Sequence, residues 1–298
     1  MLTRDSVGET VCRCRRDPPM TSAKISEMTL HDLAQQLPAA PRLLAELGRL
    51  VRTPETDARD VVALLKRDSA LVSRVLRMAN SAAYGRAEPI GAIEDAVVAV
   101  GFSEVHRLVG ALASVQLAET PLSLHGVSSA RYRENSLFVA TLMEEFAVRA
   151  KLDAQDCYTI GLLRSLGMLI LERAAARENL TVTPFHHSGE ESLAVWQHRF
   201  WGTDCWQVCA AVLQHWHLPP DIVLAIEHHD EAIVRSEPVV HLLDLASTVA
   251  TQNGYGLPGD HPNTAPQSLA AAGLSMDQFH GAVERAEQTF VRLRASVA

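Results

Sequence analysis

From about Leu30 onward, apolar residues recur three and four positions apart, the spacing that lines one face of an α-helix. Leu43, Leu44, Leu47 and Leu50 make one such face, entered through Pro38 and Pro41 and ended before Thr53-Pro54. Asp57 stands where it can cap a helix carrying Val61, Leu64 and Leu65. Asp68 can cap the next, whose stripe is Leu71, Val72, Val75, Leu76 and Ala79, with Asn80-Ser81 closing it. Ile93, Val97 and Val100 supply a further stripe that stops at Gly101, and Ser103 reads as the cap of a helix through Ala118.

The second half keeps the same period. Segments from about Arg131 to Ala150, from an Asp153 cap through Ala176, and over about 189–200, 204–216, 221–229, 238–252 and 275–296 all read as helix, with Thr203 and Ser275 as N-caps. No alternating strand pattern competes, so the expected fold is all-α. Gly254 to Pro266 reads as a loop because glycine and proline crowd it. Residues 1–27 have no apolar period and mix charges with Pro18-Pro19, the pattern of a disordered lead-in, which leaves Met1, Met20 and Met28 as alternative starts.

Length and charge narrow the function. A chain of 298 residues that is 47% hydrophobic can bury a large core and has room for two compact units. Residues 1–120 hold 15 basic and 15 acidic groups, so the net charge of -8 lies entirely in residues 121–298. A duplex-binding protein needs a clustered basic face, so direct nucleic-acid binding is not expected. The best apolar run, Ile160 to Leu171, is broken by Arg164 and is too short to cross a membrane. The basic N-terminus is followed by no apolar signal region, and a cytoplasmic address is expected. Cys12, Cys14, Cys157, Cys205 and Cys209 are odd in number and scattered, as reduced thiols are, and Cys12-Arg13-Cys14 lacks the spacing of a zinc knuckle.

Candidate chemistry gathers between residues 186 and 244. His186, His187, His198, His215, His217, His228, His229 and His241 stand there with Asp230 and Asp244, and metal sites use these side chains. For the first five the plain reading is a solvated or hydrogen-bonded imidazole. Cys205 and Cys209 are four apart on one helix, which suits either core packing or a shared ligand. No phosphate-binding GxxxxGK[ST], strand-linked GxGxxG, GxSxG elbow or HExxH helix occurs, which removes the commonest nucleotide-binding, serine hydrolase and zinc protease readings.

The order of segments is more specific than any one of them. Leu37-Pro38-Ala39-Ala40-Pro41, the run Leu65 to Leu71 with Asp68, and Val75 to Gly85 with Asn80-Ser81 resemble the signature of HDOD domains, the HD-related output domains of bacterial signalling proteins. Ile93 to Ala96, Val100-Gly101 and Leu213 to Ile222 continue the likeness, which runs from about Leu30 to Ala250. The resemblance implies a two-lobed helical architecture, with residues 28–120 as an N-terminal lobe and 121–298 as an HD-like lobe ending in a C-terminal helix.

The same resemblance connects the second lobe to HD phosphohydrolases and cyclic-di-GMP phosphodiesterases, which hold divalent metal and activate water with it. Here Asn135 stands at the place of the first His. In Gly161-Leu162-Leu163-Arg164-Ser165-Leu166-Gly167, Arg164 and Ser165 replace the His-Asp pair, and Cys205 stands at a position that is often His. His228, His229 and Asp244 match the pattern. A guanidinium cannot ligate a cation, and at about 4 Å and an effective dielectric of about 20 it repels each positive charge by roughly 4 kcal/mol. The expectation is therefore no metal, no cofactor and no hydrolysis. Arg164 either pairs with a carboxylate such as Asp244 and fills the vacated space, or turns the pocket toward an anion or nucleotide. The leading expectation is a non-catalytic, stand-alone regulatory module that binds other signalling proteins; the alternatives are a divergent metal-dependent phosphohydrolase and a nucleotide sensor without turnover.

Overall fold

The computed structural model describes residues 25–53, 55–81, 88–119, 121–186, 191–229, 237–260 and 266–297. The lead-in up to residue 24, the Ala82 to Gly85 end of the signature, His187 and Asp230 lie outside the described residues. Among the described residues there are fifteen α-helices and one isolated antiparallel bridge, Leu122 with Val127. The all-α expectation holds. The first six helices are α1 (Glu27–Gln35), α2 (Ala39–Arg52), α3 (Ala58–Leu65), α4 (Ser69–Ala79), α5 (Ile93–Val100) and α6 (Phe102–Leu117). Then follow α7 (Ser129–Ala150), α8 (Ala154–Leu163), α9 (Leu166–Arg177), α10 (Leu193–Trp201), α11 (Cys205–His215), α12 (Pro220–Glu227), α13 (Pro238–Gln252), α14 (Pro266–Ala271) and α15 (Met276–Ser296).

The helices begin where side chains satisfy their free N–H groups. Asp57 Oδ1 accepts from the N–H groups of Arg59 and Asp60, and Asp68 Oδ1 accepts from that of Leu71 at 3.0 Å, both as expected. Ser275 caps α15 in a reciprocal box with Gln278. Two expected caps are wrong. Asp204, not Thr203, caps α11, accepting from Trp206 and Gln207 at 3.0 Å; a carboxylate suits the positive end of a helix better than a hydroxyl. Thr203 donates instead to the Gln207 side chain at 2.9 Å. Nor does Ser103 open α6: Gly101, at φ 83°, turns the chain between α5 and α6, and Ser103 Oγ accepts from Gln155 Nε2 at 3.1 Å.

The helix expected from Asp153 through Ala176 is two helices, α8 and α9, interrupted at Arg164-Ser165. The glycines that flank the break, Gly161 and Gly167, are where other helices cross closely. A Cβ at Gly161 would sit 2.7 Å from the Cα of Ala140 on α7, and one at Gly167 would sit 1.8 Å from the carbonyl oxygen of Cys205 on α11. The pattern Gly-Leu-Leu-Arg-Ser-Leu-Gly is thus a packing device as well as a chemical motif. The lead-in also ends earlier than expected, because Ser26 already caps α1. Although α1 falls within the residues expected for the first lobe, it packs on α9 and α11 of the second.

α2 lies against α6 and α3, while α7 is flanked by α8, α13 and α15. The expected stripe residues Leu43, Leu44 and Leu47 are buried, as are Val61, Leu64, Leu65, Leu71, Val75 and Ala79. One continuous core runs from Leu33 on α1 to Leu293 on α15. Burial of this kind contributes roughly 25 cal/mol per Å² of apolar surface, so the continuous core holds both groups of helices together. No single helix among the described residues is long and apolar enough to cross a membrane; α5 and α6 would suffice together, but they meet at 113°.

Signature residue Asn80 has a mechanical role. Its Nδ2 donates to the carbonyls of Leu76 and Ile90, both at 2.9 Å, and its Oδ1 accepts from the N–H of Ile90 at 2.7 Å. One amide therefore closes α4 and grips both backbone groups of a residue ten positions on, which requires a donor and an acceptor on one short side chain. Asn80→Asp keeps the size and loses the donor. It should lower stability by about 1–2 kcal/mol in urea titration, whereas an unchanged midpoint would show the clamp to be dispensable.

Candidate functional site

The centre of the HD-like lobe is organised by a side chain that should not be comfortable there. Arg164 is fully buried, at 0% exposure, in the break between α8 and α9. Burying a guanidinium alone would cost several kcal/mol, so its partners decide whether the position is tenable. Nη1 and Nη2 donate to the two carboxylate oxygens of Asp260, at 2.7 and 2.9 Å, in a parallel fork. Nη2 also donates to Asn135 Oδ1 at 2.8 Å, and Nη1 lies 3.4 Å from His229 Nε2. Four of the five guanidinium N–H groups thus have acceptors.

Each partner is held in turn. Asn135, on α7, donates its own amide to the carbonyl of Tyr255 at 2.8 Å. Asp260 Oδ2 accepts from the Leu257 N–H at 2.8 Å, and the Asp260 N–H closes the turn on the Leu257 carbonyl at 3.1 Å. His229, just after α12, packs edge-to-face on Trp206 of α11 with 4.6 Å between ring centroids. Since Arg164 can only donate, His229 Nε2 accepts in that contact. Burial alone would push the Asp260 carboxyl up, but the Arg164 charge and its hydrogen bonds hold it well below the usual carboxylate range. The pair is therefore ionised at neutral pH.

This geometry corrects the expected partner. Arg164 pairs with Asp260, not with Asp244; neither Asp244 nor His228 is among its hydrogen-bond partners. Asp260 sits in the Gly- and Pro-rich stretch that reads as loop, and Gly259 at φ 85° immediately precedes it. Only His229 and Asn135 of the expected site residues reach the guanidinium. Ser165 is fully buried, with its Oγ 3.5 Å from that of Ser136. Cys205 is buried at the start of α11, its N–H bonded to Gln197 Oε1 at 2.9 Å, and burial holds its thiol far above the ordinary range. Burial pushes Cys209 up to about 12, and its thiol donates to the Leu163 carbonyl. Both cysteines are core thiols rather than nucleophiles. Asp68 caps the start of α4, Asn80 clamps its end, and Ser81 follows Asn80 in the first lobe.

A divalent metal, as the HD-phosphohydrolase resemblance implies, does not fit these residues. Among the described residues no three His, Cys, Asp or Glu side chains are grouped to hold one. The reason differs from the expected repulsion, because Asp260 neutralises Arg164. Exclusion comes from occupancy: both Asp260 oxygens are committed to the guanidinium and one also to Leu257, so no lone-pair cage remains for a cation. The same fork occupies the groups an anion would need, so a phosphate would have to displace a buried carboxylate.

Two fully buried histidines escaped the sequence pattern, since nothing in their spacing marks them. His125 Nδ1 lies 3.1 Å from Glu172 Oε1, and its Nε2 lies 3.0 Å from Gln197 Nε2, tying the loop before α7 to α9 and α10. His106, packed between Gly48 and Thr159, is lowered to about 3 by burial first and by the Arg107 charge next, so it stays neutral.

Residues 37–232 match the HDOD domain family. An uncharacterized protein of Treponema pallidum (strain Nichols) is 26% identical over 226 residues, which are 76% of this chain and 43% of that protein, so the chain spans less than half the length of this relative. Among solved structures, an HDOD domain protein of unknown function from Geobacter sulfurreducens aligns with TM-score 0.64 at 22% identity, covering 91% of this chain and 96% of the other. A Shewanella amazonensis protein described as a candidate phosphohydrolase aligns with TM-score 0.63 at 24% identity, covering 94% and 100%. A Marinobacter aquaeolei VT8 protein described as a candidate signal transduction protein aligns with TM-score 0.66 at 19% identity, covering 93% and 62%. At these identities the likeness establishes the fold.

Replacing Asp260 by Asn leaves the guanidinium buried without its counter-charge and should cost about 3–5 kcal/mol. Because the folded carboxyl is held below its unfolded value near 3.9, its contribution is fully present above that value and is lost as pH falls through the folded one. The stability gap between wild type and Asp260→Asn, from denaturant titrations, should therefore be constant between pH 8 and 5 and shrink only in strong acid. A gap that closes near neutral pH would contradict an ionised pair.

Proposed function

The chain belongs to the HDOD domain family, and from that premise we propose that it is a non-catalytic module of bacterial signal transduction that acts through contacts with other proteins. One observation carries the reading: the Arg164–Asp260 fork, closed by Asn135 and His229, fills the place where related hydrolases gather metal ligands. Metal-dependent phosphoester hydrolysis needs a lone-pair cage with an open position for water or substrate. A guanidinium with its carboxylate supplies neither. The buried thiols of Cys205 and Cys209 offer no nucleophile in its stead.

What remains for function is surface. A helical scaffold whose centre is closed by an ion pair presents fixed helix faces, and recognition by such faces needs no chemistry at the centre. The acidic bias of residues 121–298 favours a partner with basic groups facing the HD-like lobe and disfavours nucleic acid. The relatives described as signal transduction protein and as phosphohydrolase share this scaffold, so the discriminating feature is the set of residues around Arg164, not the fold.

Elemental analysis of the purified full chain, with a cyclic-di-GMP turnover assay in added manganese or iron, tests the proposal. The expected outcome is far below one metal per chain and hydrolysis no faster than the buffer blank. Stoichiometric metal, together with turnover abolished by His229→Ala, would establish the hydrolase reading instead.

A further inference from the structure

The helix that covers α9 and α11 is α1. α1 has nine residues, too few to persist in isolation, so docking maintains it. Its buried side chains include Leu33 and Ala34. On one side Thr29 Oγ1 donates to Glu178 Oε1 at 3.0 Å and Arg177 to Asp32 at 2.7 Å. At its C-terminal end Arg42 Nη2, from α2, donates to the carbonyls of Ala34 and Gln35 at 3.1 Å. Ahead of it the Ile25 N–H reaches the Trp201 carbonyl at 3.3 Å.

The remaining contact is between two imidazoles. His31 of α1 meets His215 of α11 edge-to-face, with ring centroids 4.3 Å apart, beside a groove of about 220 Å³ lined by Leu30, Ala34, Ala211 and Val212. Gln35 Nε2 lies 2.8 Å from His31 Nε2 within α1. The charged groups that bear on His215 are all basic. His217 and the Arg42 guanidinium, which sits 5.7 Å from the Trp216 ring centroid, face His215 together with His31. The charges on α9 that face α1, Arg177 and Glu178, are engaged by Asp32 and Thr29. Among the described residues, no carboxylate forms a hydrogen bond or ion pair with either imidazole.

We propose that α1 is an acid-loosened cover: protonation of His215, set against His31 and Arg42, weakens the contact and lets α1 lift from α9 and α11, baring the apolar face of α11 around Val212. Adding a proton to His215 places a cation at ring-contact distance from His31 and beside Arg42. His215 is exposed, yet the solvent it loses to its neighbours and then the His31, His217 and Arg42 charges hold it below its ordinary value. A histidine lowered in the folded state stabilises the docked form above its unfolded value near 6.5, and that contribution is lost as pH falls below it. α1 should therefore be closed at pH 8 and progressively opened on acidification.

Hydrogen exchange of the full chain, expressed as protection factors at pH 7.5 and 5.5, reads this directly. Protection over residues 30–36 should fall roughly threefold or more, the scale of a surface charge interaction, while α7 stays unchanged. In the His31→Gln/His215→Gln variant the pH dependence should flatten, with α1 still protected. A wild-type α1 whose protection does not change with pH would overturn the proposal, and so would a variant that loses protection by the same factor. Neither outcome bears on whether the chain hydrolyses a substrate.

Discussion

A buried guanidinium cannot be abandoned: once Arg164 occupies the break between α8 and α9, a counter-charge must be delivered to it. That single requirement organises the second lobe. Asp260 reaches it only because the chain after α13 turns back through Gly254, Gly256 and Gly259, and because the Leu257 N–H holds the carboxylate in register. Asn135 extends the constraint to α7 and to the Tyr255 carbonyl, and His229 extends it to the end of α12 and to Trp206. Four segments distant in sequence thus converge on one side chain. A metal ion can gather helices in the same way, through ligands from several segments; here an ion pair does so, with no coordination site left over.

The two glycines around Arg164 show how backbone packing and this electrostatic constraint support each other. Gly161 lets α8 lie on α7, and Gly167 lets α9 lie on the start of α11. Without those approaches Arg164 would not be sealed from water, and its pairing with Asp260 would weaken toward the small value of a surface ion pair. Sealing also keeps Cys205 and Cys209 as protonated thiols. On the proposed reading the same residues stand against three chemistries at once: metal ligation, anion capture and thiolate attack.

Much of this was legible in the sequence, and the misses have physical causes. Helix existence followed from apolar period, and caps with a carboxylate and a suitable helix after it, such as Asp57 and Asp68, read correctly. Ser103 and Thr203 failed because a neighbouring residue, Gly101 or Asp204, satisfied the helix start better. The break at Arg164-Ser165 escaped because both residues are tolerated in helices; only the crossing of α7 and α11 at the flanking glycines ends α8 there. That Arg164 and Ser165 stand where the resemblance puts a His-Asp pair was plain from the sequence itself. The partner was not, because Asp260 lies 96 residues away in a segment whose composition signals only a turn. Asp244 was nearer to the expected pattern, yet nothing in helical spacing fixes which of two acidic residues a loop brings inward.

The account rests on the fork holding even when metal is abundant. A crystal grown in millimolar manganese, with anomalous differences collected above the manganese edge, tests it most directly. The account predicts no anomalous peak in the HD-like lobe and an intact pair between Arg164 and Asp260. A manganese peak at bonding distance from His229 and an Asp260 carboxylate oxygen, with Arg164 swung out of the lobe, would contradict it.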